Sequence, residues 1–225
     1  EKPHPFEAPY AFIIRSSHSS RGDRRISCGP PIEYLVPAVE QPVPLVTLLQ
    51  DIFRKVSFRE GQVAILRRLL ARQNTIGLLP TGAGKSLTYQ LATLLQPGIA
   101  LVVDPIKSLM HDQDDNLRRQ GIDSTIFINS SLTTADRERN SRHMMDGKAQ
   151  FVFISPERLM IDKFRTCLRE MIEQNHVIVA YVVVDEAHCV SEWGQDFRTS
   201  YLRLGANARK YCRNSYGHVP IVGLT

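Results

Sequence analysis

Two short segments about a hundred positions apart hold the residues best suited to chemistry. The first, Leu79-Pro80-Thr81-Gly82-Ala83-Gly84-Lys85-Ser86, has the make-up of a phosphate cradle. Gly82 and Gly84 let backbone N–H groups turn toward a polyphosphate, a helix opening at Lys85 offers its positive dipole end, and Lys85 adds a charge for the β and γ phosphates. The strict pattern places glycine where this chain has Leu79. Ser86 supplies a hydroxyl for Mg²⁺. The second segment, Asp185-Glu186-Ala187-His188, ends an apolar run. Asp185 is placed to hold the same Mg²⁺ through its water shell, and Glu186 to orient or deprotonate an attacking water. Together the two segments imply ATP hydrolysis with ATP and Mg²⁺ as cofactors.

Both segments need strands to position them. Ile76-Gly77-Leu78-Leu79 and Val177 to Val184 read as fully buried strands of a parallel sheet. Further candidate strands are Ile99 to Val103, Thr125 to Ile128, Phe151 to Ile154 and Ile221 to Leu224. Helices are expected at 85–95, 107–120, 133–146, 157–174 and 201–212, with Gly121, Gly147 and Gly205 near breaks. Val63, Leu66, Leu69 and Leu70 share one helical face after Gln62, with Arg67, Arg68 and Arg72 off it. This βαβ rhythm predicts an α/β fold with a mostly parallel sheet covered on both faces and ligands at the carboxyl ends of its strands.

The organisation changes near residue 44. Eight of the thirteen prolines fall in residues 1–44, beside the polar stretch from Ser16 to Arg25. This Pro/Ser-rich part reads as an N-terminal extension or linker, with Tyr10 to Ile14 and Ile32 to Val36 as candidate short strands. It is either a solvated arm or a basic arm touching DNA through Arg21, Arg24 and Arg25. Residues 45–225 form the second unit, long enough for one α/β domain with a sizeable core. A net charge of +5 suits a polyanionic partner without requiring one. Cys28, Cys167, Cys189 and Cys212 form no CxxC pair, so neither a zinc site nor a disulfide framework is indicated, and a reducing compartment is expected. No apolar stretch approaches a membrane span. The chain opens without Met and reads as excised from a longer polypeptide.

From about residue 53 to 225 the chain resembles the RecQ family of superfamily 2 DEAH-box DNA helicases. The likeness rests on the two ATP segments and on four further stretches. Phe58-Arg59-Glu60-Gly61-Gln62 is similar to the adenine-reading motif, Asp104 to Gln113 to the first nucleic-acid motif, and Ile154 to Leu159 to the next. Ser191-Glu192-Trp193-Gly194-Gln195-Asp196-Phe197-Arg198 is similar to the aromatic-rich loop that sets this family apart, and Gly223-Leu224-Thr225 to the motif that follows. The resemblance implies a RecA-like first motor lobe, 3′-to-5′ unwinding and an intracellular location, cytoplasmic or nucleoid in a bacterium and nuclear in a eukaryote. It also implies DNA, single-stranded or forked, and a second RecA-like domain of the same polypeptide as partners. Arg59 and Gln62 would then hold adenine, and His188 would bridge the γ-phosphate region to the motif near Thr225. Lys107, Ser108, Ser155, Pro156, Glu157 and Arg158 would contact nucleic acid, as would Trp193, Phe197 and Arg198. Gln195 stands where the family usually has a His that links DNA contact to hydrolysis, and Lys55 where many members stack an aromatic on adenine.

The residues themselves leave the aromatic stretch open between two readings. A Trp and a Phe four apart on a helix pack a core, whereas Gly194 and the polar Ser191, Glu192, Gln195 and Asp196 argue for an exposed loop that stacks on bases. Two other functions share the ATP segments: an RNA helicase of the DEAH class, and an ATP-gated nucleic-acid clamp without catalysis.

Overall fold

The computed structural model describes residues 10–12, 32–34, 43–80, 82–189, 195–212 and 217–225. In the N-terminal part, strands β1 (Tyr10–Phe12) and β2 (Ile32–Tyr34) pair antiparallel, Ala11 opposite Glu33. Helix α1 (Val43–Phe53) starts the larger unit, two positions before the expected boundary. Its Pro44 sits in the first turn, where a missing N–H removes no helical bond.

The rest alternates: α2 (Gln62–Leu70), β3 (Thr75–Gly77), α3 (Lys85–Leu94), β4 (Ile99–Val103), α4 (Lys107–Arg119) and β5 (Thr125–Ile128). There follow α5 (Thr134–Met145), β6 (Phe151–Ile154), α6 (Asp162–Glu173), β7 (Val179–Val184), α7 (Gln195–Tyr211) and β8 (Ile221–Leu224). Strands β3 to β8 form one six-stranded sheet in the order β3-β8-β7-β4-β6-β5, with every neighbouring pair parallel. A parallel sheet needs cover on both faces, and alternate side chains supply two cores. Ala100, Val102, Phe151, Phe153, Tyr181 and Val183 pack toward α1, α2 and α3. Ile99, Leu101, Val103, Val152, Ile154 and Val182 pack toward α5, α6 and α7. Tyr181 is fully buried and donates its hydroxyl to the Leu69 carbonyl at 2.8 Å, which satisfies its polar end and ties β7 to the end of α2.

Several elements depart from expectation. Strand β3 lies at the sheet edge and pairs only with β8, so its run is not fully buried: Ile76 is 80% and Leu78 75% exposed, while Gly77 faces the core against Ile65 and Leu224. On α2 it is Ile65, with Leu66 and Leu69, that is buried, and Val63 and Leu70 are half-buried. The helix expected over 157–174 is broken at Ile161, whose extended backbone separates a 3₁₀ turn (Pro156–Met160) from α6. Helix α7 begins six residues earlier than expected. Gly121 and Gly147 do follow helix ends, at φ of 82° and 64°, but Gly205 lies inside α7 and breaks nothing.

Candidate active site

The phosphate turn leaves β3 and enters α3. Gly82 and Gly84 take φ of 77° and 76°, the left-handed region that glycine adopts without a Cβ penalty. A Cβ on Gly84 would come within 2.9 Å of Gln62 Nε2. Gly84 precedes α3 with no side chain capping its first N–H groups, so the positive end of the helix faces the turn. Thr81 lies outside the described residues. Gln62 is only 3% exposed, and its side-chain amide ties the start of α2 to this turn. Its Oε1 accepts the Arg59 backbone N–H at 2.8 Å, and its Nε2 donates to the carbonyls of Ala83 and Gly84 at 2.8 and 3.0 Å. The Arg59 guanidinium donates to the Gly82 carbonyl. The two residues expected to hold adenine thus clamp the turn. A cavity of about 170 Å³ opens beside them, lined by Lys55, Ser57, Arg59, Gln62, Gly82, Gly84 and Leu87.

The acidic segment meets this turn across the sheet. Asp185 continues β7 with its N–H on the Val103 carbonyl at 2.9 Å, and its carboxylate accepts the Glu186 N–H at 3.0 Å. Glu186 has φ of 49°, a conformation that costs a side-chain-bearing residue about 1–2 kcal/mol. That turn aims its carboxylate at Lys85, whose Nζ donates to the two oxygens at 3.3 and 3.4 Å. His188 Nδ1 lies 3.3 Å from the same carboxylate and 2.8 Å from Thr225 Oγ1. Thr225 is itself fixed: its N–H reaches the Gly77 carbonyl at 3.0 Å, and its carbonyl accepts from Leu79 N–H at 2.9 Å. Leu79, in the place of the pattern's first glycine, therefore extends the sheet instead of turning. The ends of β3, β7 and β8 converge on one cluster, Lys85, Glu186, His188 and Thr225.

Three carboxyl groups lie close in this cleft. Burial pushes Asp104 from its ordinary 3.8 up to about 7; the Ile106 N–H opposes the rise and the charges of Asp185 and Glu186 add to it. Asp185 is also held above the usual carboxylate range, chiefly by burial, against the pull of the Glu186 N–H and of Lys85. A buried carboxylate at the end of β7 and the Ser86 hydroxyl in the first turn of α3 are oxygen donors of the kind a hard divalent cation takes, so the chemistry of these residues fits Mg²⁺. Asp104 makes a pH dependence. Above about pH 4 the unfolded chain loses this proton and the folded chain keeps it to about pH 7, so stability falls as pH rises through that window. Asp104→Asn keeps the acceptor for Ile106 and removes the charge. Its gain in stability over the parent, on the order of 1–4 kcal/mol at pH 8, should shrink toward pH 4 when urea unfolding is followed across that range.

The expected nucleic-acid residues divide. Lys107 and Ser108 are exposed in the first turn of α4, whose preceding Ile106 gives no side-chain cap. Ser155, Pro156 and Arg158 are buried, and burial, with the nearby Arg137, holds the Arg158 guanidinium below its ordinary range. Only Glu157 of that stretch is half-exposed; its carboxylate accepts from Ser155 Oγ. Phe197 and Arg198 fall in the first turn of α7 and not in a loop, while Trp193 and the residues from Val190 to Gly194 lie outside the described residues. One contact had no signal in the sequence. Gln113 of α4 donates to Ser86 Oγ at 2.8 Å, joining two helices 27 positions apart.

Comparison with known proteins agrees with this geometry. Residues 59–222 match the DEAD/DEAH box helicase family. The ATP-dependent DNA helicase RecQ of Haemophilus influenzae is 35% identical over 187 residues, covering 83% of this chain and 28% of that protein. The ATP-dependent DNA helicase Q-like 5 of Arabidopsis thaliana is 41% identical over 163 residues, covering 72% of this chain and 17% of its own length. The chain thus spans about a quarter of the length of the RecQ relatives it matches. Among solved structures, the Mycobacterium smegmatis helicase Lhr bound to ssDNA and AMP-PNP superposes with a TM-score of 0.60 at 19% identity, covering 77% of this chain and 23% of Lhr. The DEAD-box helicase Mss116 bound to ssRNA and UDP-BeF gives 0.60 at 15%, covering 79% and 38%. Those two share the RecA-like fold.

Proposed function

The chain belongs to the DEAD/DEAH box helicases and, within them, to the RecQ family, and on that premise we propose that it is the first motor lobe of an ATP-dependent DNA helicase. The observation that carries the reading is the convergence of Lys85, Glu186, His188 and Thr225 at the carboxyl ends of three strands. ATP enters between the cavity at Lys55, Arg59 and Gln62 and the turn at Gly82 to Lys85. The free N–H groups of α3 and Lys85 bind its phosphates. Ser86 and Asp185 would hold Mg²⁺, which would supply positive charge against the phosphates. Glu186 orients the attacking water and takes its proton, and His188 relays the state of that carboxylate to Thr225. A second RecA-like lobe of the full-length polypeptide completes the site and unwinding runs 3′-to-5′. The exposed start of α4, with Lys107 and Ser108, holds a phosphate of the strand, while Phe197 and Arg198 at the start of α7, with Trp193 before them, report the strand to the ATP site. Where such a chain works inside a cell, its place is the cytoplasm or nucleoid of a bacterium or the nucleus of a eukaryote. Among the described residues no helix is long and apolar enough to cross a membrane.

The test is phosphate release by the full-length protein with single-stranded DNA or RNA of equal length, and strand separation on 3′- and 5′-tailed duplexes. Stimulation by DNA above RNA with unwinding from the 3′ tail is expected. Preference for RNA would select the DEAH-class RNA helicase, and ATP binding without release would select the clamp.

A further inference from the structure

We propose that Gln113 is a positioning residue for the metal site: its amide fixes the Ser86 hydroxyl in the orientation that ligates Mg²⁺, and Gln90 fixes the amide in turn. The inference rests on the ATPase reading of the same cleft. Ser86 and Gln90 stand four apart on α3, so both project from one helix face, the face that meets α4. From α4, Gln113 reaches both. Its Nε2 donates to Ser86 Oγ at 2.8 Å and its Oε1 accepts from Gln90 Nε2 at 3.0 Å.

A serine hydroxyl has one donor proton and two acceptor lone pairs, and its rotor is otherwise free. With one lone pair taken by Gln113, the second is left for a cation, and the proton must point away from both. The oxygen is thus aimed before any metal arrives, which lowers the ordering cost of ligation. Gln113 is well placed to act as a rigid anchor. Its helix is held by Met110 and Leu117, both fully buried, and by two bonds to Thr125 of β5, whose hydroxyl donates to Asp114 and whose carbonyl accepts from Arg118 at 3.0 Å. Gln90 is 5% exposed, so the partner that orients the Gln113 amide is shielded from competing water.

The experiment titrates MgCl₂ into the full-length protein with a fluorescent non-hydrolysable ATP analogue and reads binding, with no turnover needed. In Gln113→Leu the half-saturating Mg²⁺ should rise about three- to tenfold, the effect of losing one hydrogen bond to a ligand atom. Nucleotide affinity in EDTA should stay as in the parent. Gln90→Leu leaves the Ser86 contact in place but frees the amide, so its midpoint should shift the same way by less; it also decides the matter if Gln113→Leu fails to fold. An unchanged Mg²⁺ midpoint in both variants overturns the proposal, as does an equal loss of binding in EDTA, which would make Gln113 a packing residue. If the parent itself bound the analogue no better with Mg²⁺ than without, the ATPase reading would fall and this inference with it.

Discussion

Glu186→Gln in the full-length protein is expected to slow ATP turnover by about 10²–10⁴-fold, the usual contribution of a general base, while nucleotide affinity holds or rises. The glutamine keeps the shape, so the left-handed backbone at this position is no more strained than before. It loses the charge that now engages Lys85 at 3.3 Å. Phosphates and Glu186 compete for one ammonium group, and neutralising the competitor releases Lys85 to the ligand. Equilibrium binding of a fluorescent nucleotide and single-turnover hydrolysis separate the two effects. A parallel loss of binding and turnover would mean that Glu186 shapes the cleft without acting on water. His188 adds a secondary readout. Its Nδ1 lies near both Glu186 and Thr225, so in the glutamine variant the imidazole should lean more on Thr225, visible as a change in the ring chemical shifts of the histidine by NMR.

The sequence made the inner strands of this fold legible because a strand buried on both faces is apolar at every position. Ile99-Ala100-Leu101-Val102-Val103 and Phe151-Val152-Phe153-Ile154 stand in the sheet at the bounds read from composition, and β7 is shorter by two residues only. Composition failed at the edge. Ile76 and Leu78 are as apolar as the residues of the inner strand β4, and nothing local distinguishes a strand with one partner from a strand with two. Proline hid α1, since Pro44 reads as linker unless its place in the first turn is known. Glycine misled in α7, where Gly205 keeps a helical backbone.

In the cleft, Lys85, Asp185 and Glu186 stood out as candidates from the residue types within two short segments, and His188 only through the family resemblance; the structure brings Lys85, Glu186 and His188 together. The use of Gln62 as a clamp on Ala83 and Gly84, and of Gln113 on Ser86, depends on how α2 and α4 pack against α3, which no local pattern records. The 3₁₀ turn at Pro156 likewise turned Arg158 inward, against its reading as a surface contact.

Lys85→Ala should have the larger effect of the two on binding. A charge-assisted hydrogen bond contributes about 1.5–3 kcal/mol, so loss of the ammonium weakens nucleotide binding by about one to two orders of magnitude. Turnover should fall further, by about 10²–10³, because charge on the leaving phosphates grows toward the transition state and a donor fixed in the cleft acts most strongly there. Fold stability is expected to change little. The Lys85–Glu186 pair is partly solvated, with side-chain exposures of 15% and 25%, and such pairs contribute about 1 kcal/mol or less. The double variant Lys85→Ala with Glu186→Gln makes the test specific. If the two residues oppose each other only through their mutual pairing, the binding gain expected from Glu186→Gln alone must vanish once Lys85 is gone, since no ammonium remains to be released. Isothermal titration with a non-hydrolysable ATP analogue on the parent, both single variants and the double variant closes this cycle. A gain that survives without Lys85 would show instead that Glu186 repels the phosphates directly, and the ion pair between the start of α3 and the turn after β7 would have no part in nucleotide affinity.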